Sequence, residues 1–149
     1  MILNEYETTY VIRPDLTDDL MGKITAKYKA LITDNAGQLL VDEDWGKRKL
    51  AYPIKKHARG HYVYLNYVGP SQIVAEVERI LKNEEDLLRF LTVVMAKDVD
   101  VDERKVLAAD RQRQRQERMA AQRAEEEAER RYREEVEEAD EDGEPAAED

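Results

Sequence analysis

The stretch GKRKLAYPIKKHARGHYVYLNY, residues 46–67, holds six cations, Lys47, Arg48, Lys49, Lys55, Lys56 and Arg59, together with four tyrosines. Fixed positive charges beside aromatic rings suit contact with a polyanion, in which Lys and Arg neutralise phosphates and ring faces stack on bases. A soluble hairpin also uses lysine to protect its edges, but six cations with Asp44 as their nearest acid exceed that need. On a strand, Tyr62 and Tyr64 share one face and are candidates for base stacking or for a partner's surface. Val63, Leu65 and Tyr67 fall on the other face and are predicted to be core. His57 and His61 straddle a loop and a strand start, with no cysteine and no third histidine in the chain. Solvated or phosphate-facing imidazoles are expected there, with no metal, cofactor or small-molecule substrate.

Such a stretch is unexpected in a chain of net charge −10. The acidity is local. Residues 1–97 balance fourteen Lys+Arg against fourteen Asp+Glu, while 98–149 carry ten against twenty, which supplies the whole excess. A neutral domain at 1–97 followed by a charged extension at 98–149 is therefore expected, and the low pI is no argument against nucleic acid. Zero cysteines exclude disulfides and thiol catalysis. MILNEYETTY lacks a signal-peptide layout, and no apolar run has the ~18 residues of a membrane span. A cytoplasmic chain without a membrane partner is expected.

The elements that must position the cations follow from periodicity. EYETTYVIRP, residues 5–14, is strand-like and stops at Pro14. From an N-cap at Asp15 or Thr17, Leu20, Met21, Ile24, Tyr28, Leu31 and Ile32 recur at helical spacing, with the glycine of NAG, residues 35–37, as C-cap. QLLVDEDWGKRKLAYPI and GHYVYLNYV read as hairpin arms with KKHAR, residues 55–59, as the tip and Gly46 as a bulge in the first arm. Ser71 is the N-cap of a second helix with Ile73, Val77, Ile80 and Leu81 on its buried face. The apolar run LLRFLTVVMAK, residues 87–97, predicts a well-covered last strand.

Strand, helix, strand, strand, helix, strand is the α+β split arrangement called ferredoxin-like, a β-α-β-β-α-β sandwich with a four-stranded antiparallel sheet. Both helices cover one face, leaving the other for water or a partner. After Lys97 the chain turns to Arg, Gln, Ala and Glu, good helix formers. Glu126–Arg130, Glu127–Arg131 and Glu129–Arg133 stand at i,i+4. Val106, Leu107, Met119, Tyr132 and Val136 do not sustain a heptad, so no self-standing coiled coil is expected. The extension reads as partly helical, with the last ten residues disordered and no packed element the domain needs.

RGHYVYL, residues 59–65, begins like an RNA-recognition-motif signature, but His61 and Tyr62 stand where an aromatic and a small residue are required. Arg13 stands near the position of a phosphate-binding arginine in acylphosphatases, which share this topology. VIRPDLTDD contains no glycine and several repelling carboxylates, so no enzyme is expected.

DWGKRKLAYPIKKHARGHY, residues 44–62, resembles the bacterial small-subunit ribosomal protein six family through Trp45, Gly46, Arg48, Leu50, Ala51, Tyr52, Pro53, Ile54, Lys56, Gly60 and Tyr62. YETTYVIRPDL and LKNEEDLLRFLTV are similar to that family's opening strand and its last junction, with Arg89 in its Leu-Arg pair. The resemblance covers residues 4–97. It implies a structural component of the small ribosomal subunit that binds the central domain of small-subunit ribosomal RNA together with small-subunit ribosomal protein eighteen. Arg89 joins the hairpin cations as an expected RNA contact. The alternatives are a free-standing RNA-binding regulator on the same fold, or an acylphosphatase-like enzyme.

Overall fold

The computed structural model describes residues 1–141. β1 (Asn4–Ile12), α1 (Asp18–Asp34), β2 (Gln38–Ile54), β3 (His57–Gly69), α2 (Gln72–Lys82), β4 (Leu87–Ala96) and α3 (Val101–Glu141) follow one another. The four strands form one sheet in the order β2-β3-β1-β4, antiparallel throughout. This is the expected ferredoxin-like sandwich with a C-terminal helix added. The chain divides into two compact units, Met1–Ala109 and a second beginning at Asp110.

Local chemistry sets the helix ends. The Thr17 hydroxyl accepts the Leu20 N–H at 3.4 Å, and Asp18 and Asp19 in the first turn of α1 favour its dipole. At the other end the Gly37 N–H donates to Ile32 O at 2.9 Å, closing the helix in a Schellman manner. The left-handed residue is Ala36, with φ 60°, and not the glycine that the sequence offered. Gly37 serves space instead, because a Cβ there would stand 2.6 Å from Ile73 Cδ1 and 2.7 Å from Ile32 O. Ser71 stands at the N-cap of α2 but makes no side-chain capping bond.

Alternation along the strands fixes the core. Tyr6, Tyr10, Ile12, Val63, Leu65 and Tyr67 meet Met21, Ile24, Tyr28 and Ile32 of α1 and Ile73, Val77 and Leu81 of α2. The tyrosine hydroxyls have partners: Tyr67 pairs with Thr8 at 2.8 Å, and Tyr10 donates to Thr25 at 3.3 Å. Tyr28 donates to Glu84 at 3.3 Å and meets Tyr10 edge to face, ring centroids 5.0 Å apart. Burial pushes the Tyr10 and Tyr67 hydroxyls up to about 12, and burial with the Glu84 carboxylate raises Tyr28 as well.

Two sequence expectations are corrected here. β4 is an edge strand, and Leu91, Val93, Val94 and Met95 are exposed; an apolar run reports affinity for a nonpolar neighbour, which the isolated chain need not supply. The face away from α1 and α2 is also not left bare. Ala108 of α3 is buried in a cluster with Val41 and Tyr64, and Arg104 lies 3.4 Å from Glu5, which is fully buried. The Val99 N–H donates to Leu3 O at 2.8 Å, tying the lead-in of α3 to the start of β1. α3 is continuous to Glu141, so Asp140 and Glu141 of the predicted disordered end are helical. Residues 142–149 of that expectation lie outside the described residues. Arg131 and Arg133 find Glu127 and Glu129 as expected, whereas Arg130 turns to Glu134 at 3.7 Å instead of Glu126.

Truncation after Lys97 removes Arg104 and Ala108, so it is expected to destabilise the first unit by on the order of 3 kcal/mol, as breaking a buried ion pair does. Urea midpoints of the truncated and full-length chains check this. A second expectation concerns alkali. Unfolded tyrosines ionise near pH 10, whereas Tyr10 and Tyr67 hold their protons to about 12. The unfolded state thus binds fewer protons above pH 10, and the stability present below that value is lost as pH rises toward 12. Urea midpoints at pH 9 and 11 should show the fall, and Tyr10→Phe should reduce it.

Candidate nucleic-acid interface

The hairpin tip is tighter than the expected five-residue loop. Lys55 and Lys56 alone form the turn, both at positive φ, 47° and 67°, as in a two-residue type I′ connection. His57 already belongs to β3. Gly46 makes the predicted bulge: the register shifts between Asp44↔Val63 and Gly46↔Tyr62, and Gly46 takes φ 75° with its N–H on Asp44 Oδ1 at 2.8 Å.

A second irregularity shapes the site. Lys49 pairs with Arg59 and Ile54 with His57, so residues 50–53 of β2 stand opposite Ala58 alone and the arm bends there. Leu50, Val11 and Leu88 form a small buried cluster, with Ile54 and Tyr62 packed on it. The Lys55 ammonium donates to Leu87 O at 3.0 Å. The tip of the β2–β3 hairpin thereby reaches the start of β4.

All seven cations expected at the site are exposed. Lys55 and Arg89 are brought together on the rim of a shallow depression of about 270 Å3, where Lys82 joins them. Lys82 escaped sequence reasoning because it ends α2, and only the fold-back of the tip makes it a neighbour. Lys56 completes the turn. Lys49 and Arg59 stand directly cross-strand, a like-charge pairing that costs stability. Lys47, opposite His61, lies on their side of the ribbon, while Arg48, opposite Gly60, lies on the other. The Arg48 guanidinium caps the Trp45 ring at 5.3 Å, so it is part of a stack and stands apart from the Lys55–Lys82–Arg89 group.

The tyrosines share a face, as their spacing required. Tyr64 is buried, stacked on Trp45 at 5.1 Å and 9°, and donates to Glu7; its ring is covered on the side a base would use. Tyr62 is half-buried beneath the hairpin tip. His61 faces an acid and not solvent or phosphate: its Nε2 lies 2.6 Å from Asp44 Oδ1. Arg13 is occupied by carboxylates, with Nε and Nη2 donating to Asp15 at 2.9 and 3.0 Å and Asp86 at 3.4 Å. No group of His, Asp and Glu among the described residues could hold a metal ion, and no described helix is long and apolar enough to cross a membrane.

The fold is that of a ferredoxin-like domain, with six exposed cations on one hairpin and Arg89 exposed at the strand start beside it. Residues 5–94 match the family model described as Ribosomal protein S6, and the chain belongs to that family. It is similar to small ribosomal subunit protein bS6 of Syntrophobacter fumaroxidans, 43% identical over 91 residues, covering 61% of this chain and 62% of that protein. The bS6 protein of Pelobacter propionicus is 46% identical over 61% of this chain and 70% of its own length. That of Geobacter metallireducens is 40% identical over 70% of this chain and 89% of its own. The crystal structure of 30S ribosomal protein S6 from Thermotoga maritima superposes with a TM-score of 0.60 at 24% identity, covering 75% of this chain and 98% of that one, a likeness of fold.

Gly60 and Gly46 should respond differently to alanine. At Gly60 a Cβ would overlap Val11 Cγ1, so Gly60→Ala is expected to cost about 1–3 kcal/mol by overpacking and to loosen the tip. At Gly46 nothing lies within 4 Å of a built Cβ, so Gly46→Ala costs only the left-handed φ, about 1 kcal/mol. Denaturant titration ranks the two. The reverse order would contradict the close approach described at Gly60.

Proposed function

We propose that this chain is a structural component of the bacterial small ribosomal subunit, in the cytoplasm, that binds the central domain of small-subunit ribosomal RNA together with small-subunit ribosomal protein eighteen. The carrying observation is the fold-back of the hairpin, which sets Lys55 beside Lys82 and Arg89 around one depression. Together with Lys47, Lys49, Lys56 and Arg59 these side chains act on phosphates, positioning the domain without reading bases. Arg48 contributes through its stack on Trp45. The unit as a whole is near neutral, so few phosphates are neutralised and binding alone is weak at physiological salt. A protein partner supplies the rest.

The partner's surface in this reading is β4, an edge strand with Leu91 and Val93 exposed at 59% and 43%. Seven uncharged residues in a row, FLTVVMA, give it none of the lysines that protect a free edge. Family membership, relatives named for a ribosomal subunit and the engagement of Arg13 by Asp15 and Asp86 all speak for a structural role over an acylphosphatase-like one.

Footprinting of the central-domain RNA, with and without protein eighteen, tests this. Protection should strengthen markedly when both proteins are present; equal protection by the single chain would refute joint binding. Binding to another RNA in place of this one would favour the regulator reading. Each of Lys49, Lys55, Arg59, Lys82 and Arg89 changed to Gln should lower the magnitude of the salt slope by about 0.7–0.9 with the fold intact. Unchanged slopes at all five positions would return the cluster to edge protection.

A further inference from the structure

α3 carries its charge in two blocks. Residues 111–123 hold Arg111, Arg113, Arg115, Arg118 and Arg123 against one acid, Glu117, whereas 125–141 hold ten acids against Arg130, Arg131 and Arg133. This order opposes the helix macrodipole, which favours cations toward the C-terminus, and the last turn of α3 contains no basic residue. Helix stability therefore does not explain the arrangement.

The pairing pattern differs between the blocks as well. In the acidic block each arginine has a carboxylate: Arg131 lies 2.6 Å from Glu127, Arg133 3.4 Å from Glu129 and Arg130 3.7 Å from Glu134. In the basic block Arg113 is joined to Asp110, but Arg118 and Arg123 are exposed and have no carboxylate partner among the described residues. Arg118 and Arg123 thus keep positive charge that their own helix does not neutralise.

The directions of these charges define the ligand. At 100° per residue, positions 113 and 118, and 118 and 123, point roughly 140° apart around the axis, which leaves 113 and 123 roughly 80° apart, over a rise of about 15 Å. A single strand lying along one side of the helix would meet at most two of the three, Arg113 and Arg123. A cleft walled by RNA backbone on more than one side would meet them all, and Gln114, Gln116 and Gln122 place hydrogen-bonding amides between them. Acidic residues beyond Ala124 would be repelled from the same RNA, which limits the contact to the basic block.

We propose that residues 111–123 of α3 are a second RNA-backbone contact, an arginine-bearing helical segment that enters a cleft in folded RNA. This rests on the RNA reading given under Proposed function, and the experiment separates the two. The full-length chain with Arg113, Arg118 and Arg123 changed to Gln should keep its helical circular dichroism. Its salt slope on a bulged RNA duplex should fall in magnitude by about 2–3 relative to the parent, at roughly 0.7–0.9 per lost contact. The matching triple Lys variant should keep the slope, since charge and not guanidinium shape carries a phosphate contact. An equal fall on oligouridine would overturn the cleft geometry. A parallel variant with Lys55, Lys82 and Arg89 changed to Gln decides what fails: if it lowers the slope and the helix variant does not, the inference on α3 is wrong and the hairpin reading stands. If only the helix variant lowers it, the hairpin reading is wrong; if neither does, both are.

Discussion

At Gly60 the backbone of β3 lies against Val11 so closely that any Cβ would overlap the valine methyl, and the shape of the hairpin end of the sheet depends on this approach. Without a side chain at 60, Leu50 can drop onto Val11 and Leu88, which bends the four residues between Lys49 and Ile54 out of register. The bend carries Lys55 to the carbonyl of Leu87. A straight hairpin would present its tip cations in isolation; the bent one sets them beside side chains from α2 and β4. The cost is visible in two lysines at positive φ, a conformation disfavoured in every L-residue with a Cβ.

The opposite surface of the sheet obeys a different constraint. With both crossover helices on one face, the other must be covered or polar, and the chain does some of each. Asn66 donates to Glu5 at 3.0 Å, Trp45 donates to Glu43 at 2.8 Å while stacking on Tyr64, and the start of α3 brings Ala108 and Arg104 over them. A buried carboxylate such as Glu5 is tolerable only with such partners. What stays open lies toward β4, where Leu91 and Val93 are exposed. The two candidate surfaces thus differ in kind, cations at the hairpin end and apolar side chains at the sheet edge.

Most of the fold was legible because its signals are local and periodic. The two-residue alternation separated Tyr62 and Tyr64 from Val63, Leu65 and Tyr67, and the three-to-four spacing of Met21, Ile24, Tyr28 and Ile32 marked the face of α1. What was missed depends on tertiary context. Hydrophobicity alone could not distinguish a central β4 from an edge strand awaiting a partner. Glycine at 37 looked like a left-handed cap, yet its role is the room it leaves for Ile73. Ala108 gave no signal, since one small residue on a polar helix establishes no period, and Lys82 became part of the candidate site only through the bend at residues 50–53. Arg48 was legible as a cation but not as the cover of Trp45.

Charge density by itself is weak ground for a functional surface; the discriminating feature is whether the charges are answered within the fold. Arg13 is basic and well placed, yet Asp15 and Asp86 take up its donors, so it has little left to offer a phosphate. Arg130, Arg131 and Arg133 are answered by glutamates on their own helix, the ordinary means of stabilising a solvated helix. Lys49 and Arg59 are the contrary case: they are set opposite one another across the ribbon, where like charges repel, and both remain exposed. A sequence shaped for stability alone would replace one of them with an acid, as the i,i+4 pairs of α3 show this chain able to do. Keeping both positive makes sense when the missing counter-charge arrives with a ligand, and a ligand supplying negative charge along the length of a hairpin is a polyanion.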